Sequence, residues 1–184
     1  MVVFDTSVLA IAFDENASVP IDPSTGAPLE RCRERMDYLL KTIAANKARI
    51  LLPTPVISEF MVHGGPDREK RLNLINSSRA FTIAPFDLRA AIECSLIETV
   101  TSKSKVISDF NQETKAKVKF DRQILATAIS RKANTIYTGD KQLASKAKQC
   151  GLAAFLTWEL ELPPEKPKSP QFEITFSPPT PEAL

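Results

Sequence analysis

Residues 118–143 read VKFDRQILATAISRKANTIYTGDKQL, and this stretch decides the fold. Ile124, Leu125, Ala128 and Ile129 recur at three- and four-residue steps, the spacing of one face of a helix. Asn134 breaks that pattern. Thr135-Ile136-Tyr137 is β-branched and aromatic, too short for a helix and suited to a buried strand. Thr138-Gly139-Asp140 follows, and Lys141-Gln142-Leu143-Ala144 opens a second helix. Asp121 and Asp140 are therefore expected at two helix starts, with Asp140 also at the C-terminal end of a strand. In open α/β sheets that edge is where ligands bind. Each acid taken singly has a plainer explanation. Asp caps helices because its oxygen accepts an orphan backbone N–H of the first turn.

The same arrangement recurs on either side. Residues 1–4 are a short apolar strand; Asp5-Thr6-Ser7 follows, and Val8, Leu9, Ile11, Ala12 and Phe13 suggest a helix on the core. Asp5 is thus a further acid between a strand and a helix. Residues 49–52 form a second strand, and Thr54-Pro55 is a helix start of the N-cap–proline type. Glu59 lies on the helix that leaves this strand's C-terminal end, which His63-Gly64-Gly65-Pro66 closes. His63 reads as a helix-end residue. Residues 80–84 are a third strand. A long helix from Pro85-Phe86-Asp87 to about Thr101 is expected to turn Leu88, Ala91, Ile92, Ser95 and Leu96 inward. Residues 152–156 are a last strand. Between these, residues 29–43 are an amphipathic helix, and residues 67–78 a polar helix with Leu72, Leu74 and Ile75 inward. Alternation of strands and helices argues for an α/β fold with a parallel sheet.

Length and composition bound the rest. The 184 residues suffice for one core, and 43% hydrophobic with 25% charged content is ordinary for a soluble globular chain. No apolar run reaches membrane length. The N-terminus lacks a basic region and carries an acid at position 5, so no signal peptide is expected. Cys32, Cys94 and Cys150 are far apart without metal-ligand spacing, which predicts reduced thiols and a cytoplasmic protein. His63 is the one histidine, which excludes any mechanism needing a histidine pair. A net charge of +2 does not by itself point to a nucleic acid. The domain is expected over 1–160. It contains a proline-bearing insertion loop at about 14–28 and is followed by a proline-rich C-terminal tail at 161–184. Within the tail, QFEITF at 171–176 alternates apolar and polar residues and would suit a sheet edge.

Asp5, Glu59, Asp121 and Asp140 all project near one sheet edge in this reading. Four carboxylates cannot all stay ionised in a small cleft without a cation, because each raises the others' pKa. All-oxygen ligation favours Mg²⁺ or Mn²⁺. The segments VVFDTSVL, LLPTPVISEF, FDRQILATAISRKA and IYTGDKQL, in this order and spacing, resemble the PIN domain nucleases, including the toxin ribonucleases of toxin–antitoxin pairs. The match runs from Met1 to about Leu156. It implies a three-layer α/β/α domain with a central, mainly parallel sheet. The implied activity is a metal-dependent endoribonuclease acting on RNA phosphodiester bonds in the cytoplasm. Asp5, Glu59, Asp121 and Asp140 would be the catalytic acids. Asp5 and Asp121 would be direct metal ligands, and Asp140 a ligand directly or through water. Glu59 would ligate through water or help deprotonate the nucleophile. Thr6 and Thr138 would position the acids. Lys117, Lys119, Arg122 and Lys141 are candidate contacts to the RNA. An antitoxin and a homodimeric partner are further implications, with no membrane. Where many relatives carry another acid or asparagine after the fourth acid, Lys141-Gln142-Leu143 stands here, which bears on a second metal site.

Two other readings compete. A haloacid dehalogenase-type phosphatase also places an aspartate after its first strand, but needs a second aspartate two residues on, where Ser7 stands. A non-catalytic PIN-like module binding RNA or protein would share the fold and none of the chemistry.

Overall fold

A computed structural model of the chain describes residues 1–102 and 115–164. The elements run β1 (Val2–Phe4), α1 (Thr6–Phe13), α2 (Cys32–Ala45), β2 (Ile50–Pro53), α3 (Thr54–Val62), α4 (Arg68–Ser77), β3 (Phe81–Ala84), α5 (Leu88–Ser102), α6 (Lys115–Ser130), β4 (Thr135–Thr138), α7 (Lys141–Gln149) and β5 (Ala153–Leu156). The strands form one sheet in the order β3-β2-β1-β4-β5, parallel at every pairing. Successive strand residues point to opposite faces. Val3 and Phe4 are both fully buried, as are Leu51 and Leu52, so the central strands are covered on both faces. That burial explains why their sequences read as continuous apolar runs rather than alternating ones.

The strand order reverses beside β1. The chain steps outward from β1 to β2 to β3, then returns to place β4 on the other flank of β1. The C-terminal ends of β1 and β4 thus form the switch point at which open α/β sheets leave a crevice. Register makes this specific. Phe4 pairs with Tyr137, the Asp5 N–H donates to the Tyr137 carbonyl at 3.0 Å, and Asp5 comes to lie beside Thr138.

The loop at 14–28 is built rather than loose. Asp22 accepts from the Ser24 N–H at 2.8 Å and the Ser24 hydroxyl at 2.6 Å. Ile21 bridges to Pro28 in antiparallel fashion, and the Leu29 N–H donates to the Pro20 carbonyl at 2.8 Å. Leu29 is buried, which pins the loop's end to the core.

Three expectations change. Asp121 does not start a helix; it lies inside α6, which begins at Lys115. The face assigned to α5 is reversed. Leu88, Ile92 and Leu96 are exposed, whereas Ala90 and Ile97 are buried. The period was read correctly, but the bulkier apolar stripe faces out and the smaller alanine takes the packed side. On α4, Ile75 is buried and Leu72 is exposed. The tail beyond residue 164, including 171–176, lies outside the described residues.

The two faces of α5 are separable by substitution. Ile92→Lys and Leu96→Lys are each expected to change unfolding free energy by no more than about 0.5 kcal/mol. Ile97→Ala is expected to cost about 2–5 kcal/mol. Urea titrations of the three variants check the assignment.

Candidate active site

Asp5, Glu59, Asp121 and Asp140 line one cavity of about 1320 Å³ at the C-terminal edge of the sheet. They come from four separate segments: the end of β1, helix α3, helix α6 and the end of β4.

Asp5 stands at the N-cap position of α1, yet its side chain caps nothing. Its Oδ2 accepts instead from the Thr138 hydroxyl at 2.8 Å and the Ser7 hydroxyl at 3.1 Å. Each hydroxyl is used twice. Ser7 Oγ accepts the Gly139 N–H at 2.9 Å, and Thr138 Oγ1 accepts the Asp140 N–H at 2.9 Å. This knot explains the glycine, because a Cβ on Gly139 would lie 3.1 Å from Ser7 Oγ and 3.3 Å from Ser7 Cβ. Asp5 is 8% exposed. Burial pushes its pKa up to about 6 although the hydrogen bonds pull the other way, and the charge of Glu59 adds to the rise.

Glu59 is exposed on α3 and accepts the Thr6 hydroxyl at 2.6 Å. Its helix is anchored one residue on. Phe60 is fully buried, and the Arg71 guanidinium lies 4.3 Å above its ring. Arg71 also donates to the Phe60 carbonyl and pairs with Asp14, which ties α4 to the end of α1.

Asp121, 5% exposed, faces the Lys146 ammonium at 3.0 Å. Asp140 does cap α7, since its Oδ1 accepts from the Gln142 N–H at 2.7 Å and the Leu143 N–H at 3.2 Å. Its other oxygen meets the Lys117 ammonium at 2.5 Å. Burial raises its pKa; Lys117 and the two amides outweigh burial and hold it below the usual aspartate value.

Of the expected RNA-contacting cations, Lys117 and Lys141 line the cavity. Lys141 also lies 5.5 Å from the Trp158 ring centroid. Lys119 is exposed and Arg122 half-buried, and neither is among the lining residues. His63 ends α3, as expected, and reaches the cavity rim. Sequence reading missed Ser7 as a partner of Asp5, and missed Lys146 and Trp158 altogether. The D-T-S triplet carried a signal for Ser7. Nothing in the spacing of Lys146 announced its contact with Asp121, which is 25 residues away in the chain.

Oxygen donors alone, four of them carboxylates on one cavity and one pushed towards its neutral form by burial, fit a hard divalent cation in chemistry. Among the described residues no three acidic, histidine or cysteine side chains close on one point. Lys146 and Lys117 place positive charge against Asp121 and Asp140.

No family model and no curated protein matches the sequence. Solved structures do match the fold. VapBC2 from Rickettsia felis, bound to a DNA fragment from its promoter, superposes with a TM-score of 0.55 at 15% identity, covering 85% of this chain and 98% of the other. DNA-bound VapBC from Salmonella typhimurium gives 0.50 at 13% identity, over 85% and 97%. The fold is PIN-like. A looser likeness, 0.45 at 12% identity over 79% and 94%, is to VapC20 of Mycobacterium tuberculosis, a toxin that cleaves the sarcin–ricin loop. The PIN-like fold accounts for the switch-point cavity; the hydroxyl knot and the two lysine contacts are read from this chain's own side chains.

The raised pKa of Asp5 has a consequence for the metal-free protein. The folded state holds this proton more tightly than the unfolded chain. The stability Asp5 contributes is therefore complete below its ordinary value of 3.8 and lost as pH rises through about 6. Asp5→Asn removes the dependence. In EDTA the variant is expected to match wild type near pH 4 and to exceed it by on the order of 2–3 kcal/mol at pH 7. Denaturant unfolding at the two pH values measures the difference.

Proposed function

We propose that the chain is a Mg²⁺- or Mn²⁺-dependent endoribonuclease that hydrolyses RNA phosphodiester bonds. The observation that carries this reading is the arrival of four carboxylates, from four separate segments, at one cavity on the switch-point edge. Asp5, Asp121 and Asp140 would hold the ion. When bound, it would lower the pKa of a water and offset charge on the phosphate oxygens. Glu59, which lines the cavity and accepts the Thr6 hydroxyl, would accept the proton of the attacking water. Thr138 and Ser7 orient Asp5. Lys117 and Lys141 supply cations for the phosphate backbone. Phe120 and Trp158 offer faces on which unpaired bases stack, which favours single-stranded RNA over a duplex.

The neighbours of similar fold are VapBC complexes. By that analogy the chain acts as a cytoplasmic toxin restrained by a small antitoxin, whose segment would fill the acidic cavity. A homodimer belongs to the same proposal. The cavity's apolar wall, with Val19, Ile21 and Val62 among its exposed side chains, supports a peptide partner as well as a nucleic acid. The reading as a non-catalytic binding module has one observation on its side, the neutralisation of two acids by lysines.

Incubation with a mixed-sequence single-stranded RNA and Mn²⁺ tests the proposal. Cleavage is expected to vanish in EDTA and in Asp5→Asn, and to fall by roughly 10²–10⁴-fold in Glu59→Gln. Undiminished cleavage by folded Asp121→Asn would sink the site assignment. Release of phosphate from a monoester without diester cleavage would favour the phosphatase chemistry.

A further inference from the structure

Strand register carries a row of rings across the sheet and up to one edge of it. Phe4 pairs with Tyr137, and Tyr137 with Phe155, so the three side chains stand on one face. Their ring centroids lie 5.8 Å and 5.5 Å apart in turn. Cover runs out along the row: Phe4 is fully buried, Tyr137 is half-buried and Phe155 is 43% exposed. On the opposite face of β5, Ala154 is buried. The uncovered end of the row opens on a groove of about 220 Å³, lined by Tyr38, Leu39 and Thr42 of α2 with Tyr137 and Phe155. A cavity of about 150 Å³ holds a benzene ring, so the groove has room for an aromatic side chain. β5 is also the last strand of the sheet among the described residues. An edge strand that shows a large apolar side chain is a template for further pairing.

The chain itself leads to this groove. Leu160 is buried, and its carbonyl accepts from Arg35 of α2. Glu161 lines the groove. The described residues end three positions later, at Pro164. Beyond them the sequence has one apolar–polar run, Gln171-Phe172-Glu173-Ile174-Thr175-Phe176, set between Pro170 and Pro178. Period-two alternation assigns Phe172, Ile174 and Phe176 to one side of an extended segment. The bounding prolines cannot donate to a ladder, so they limit the length of any pairing. Pro164 to Gln171 is seven residues of chain, a reach of up to about 25 Å, against roughly 13 Å for the length of β5.

We propose that residues 171–176 add to the outer edge of β5 and lay Phe172, Ile174 and Phe176 over Phe155 and into the groove. The row of rings is then closed by the chain's own segment. The pairing is antiparallel, because residues 157–170 carry four prolines and cannot supply the helix of a parallel crossover. Nothing in it depends on the nuclease reading.

Hydrogen exchange of the full chain, followed by mass spectrometry, tests the pairing. Amides within 171–176 are expected to exchange on the order of 10-fold or more slowly than those of the free peptide SPQFEITFSP, residues 169–178. Ile174→Pro is expected to abolish that protection and to speed exchange in β5. The free peptide is expected to bind Ile174→Pro and not wild type, whose groove is filled. Exchange of 171–176 at the free-peptide rate in wild type would overturn the proposal, whether or not the variant folds. Protection that survives Ile174→Pro would overturn it as well. Protection that falls on dilution, with a dimer seen by light scattering, would give the groove to a second copy and overturn the intramolecular pairing.

Discussion

Four carboxylates must be held at one half-dry sheet edge, and most of the local structure around that edge answers to this constraint. The acids are compensated unequally. Asp5 has neutral donors only, the hydroxyls of Thr138 and Ser7. Asp140 has two helix amides and Lys117. Asp121 has Lys146, and Glu59 has the Thr6 hydroxyl. Neutral donors are the weaker remedy for a buried charge. Burial therefore prevails at Asp5, and its pKa rises although the hydroxyls pull it down. The site is thus electrostatically uneven, most starved of positive charge where β1 meets β4.

That unevenness depends on the sheet. The Phe4–Tyr137 register sets Asp5 against Thr138, and a shift of one residue would turn the threonine to the opposite face. The central strands leave little room for such a slip, since Val3, Phe4, Leu51, Leu52 and Ile136 are fully buried between the helices. Arg71 does the same for α3, clamping Phe60 so that Glu59 leaves the helix in a fixed direction. A carboxylate kept in a place that raises its own energy is the mark of a functional site more than of a structural one.

Much of this was legible in the chain. Short β-branched runs separated by helical periods specify a parallel α/β sheet, and three of the acids, Asp5, Glu59 and Asp140, could be assigned to segments leaving a strand's C-terminal end. What failed to show had a tertiary cause. The outward stripe of α5 carries a stronger apolar signal than the packed side, because Ala90 packs by being small and contributes little to periodicity. Asp121 looked like a cap because Lys-rich, weakly patterned residues precede it, yet α6 begins six residues earlier at Lys115. Lys146 is one of several lysines on α7, and only its contact with Asp121 singles it out. The loop at 14–28 read as a break in structure; its role as a cavity wall depends on the Ile21–Pro28 bridge, which no local pattern encodes.

Capping and cavity-facing roles are not alternatives for these aspartates, because a carboxylate has two oxygens. Asp140 gives Oδ1 to the first turn of α7 and turns Oδ2 to the cavity. The cap fixes both side-chain torsions, so the second oxygen is aimed without further support. Asp5 occupies the equivalent place on α1 and declines the cap, giving Oδ2 to hydroxyls from its own helix and the neighbouring strand. A cap would have aligned Asp5 with its own helix alone. The hydroxyl knot aligns it with the end of β4 as well, and so couples its orientation to that of Asp140 through Thr138, whose single oxygen donates to one acid and accepts the backbone N–H of the other.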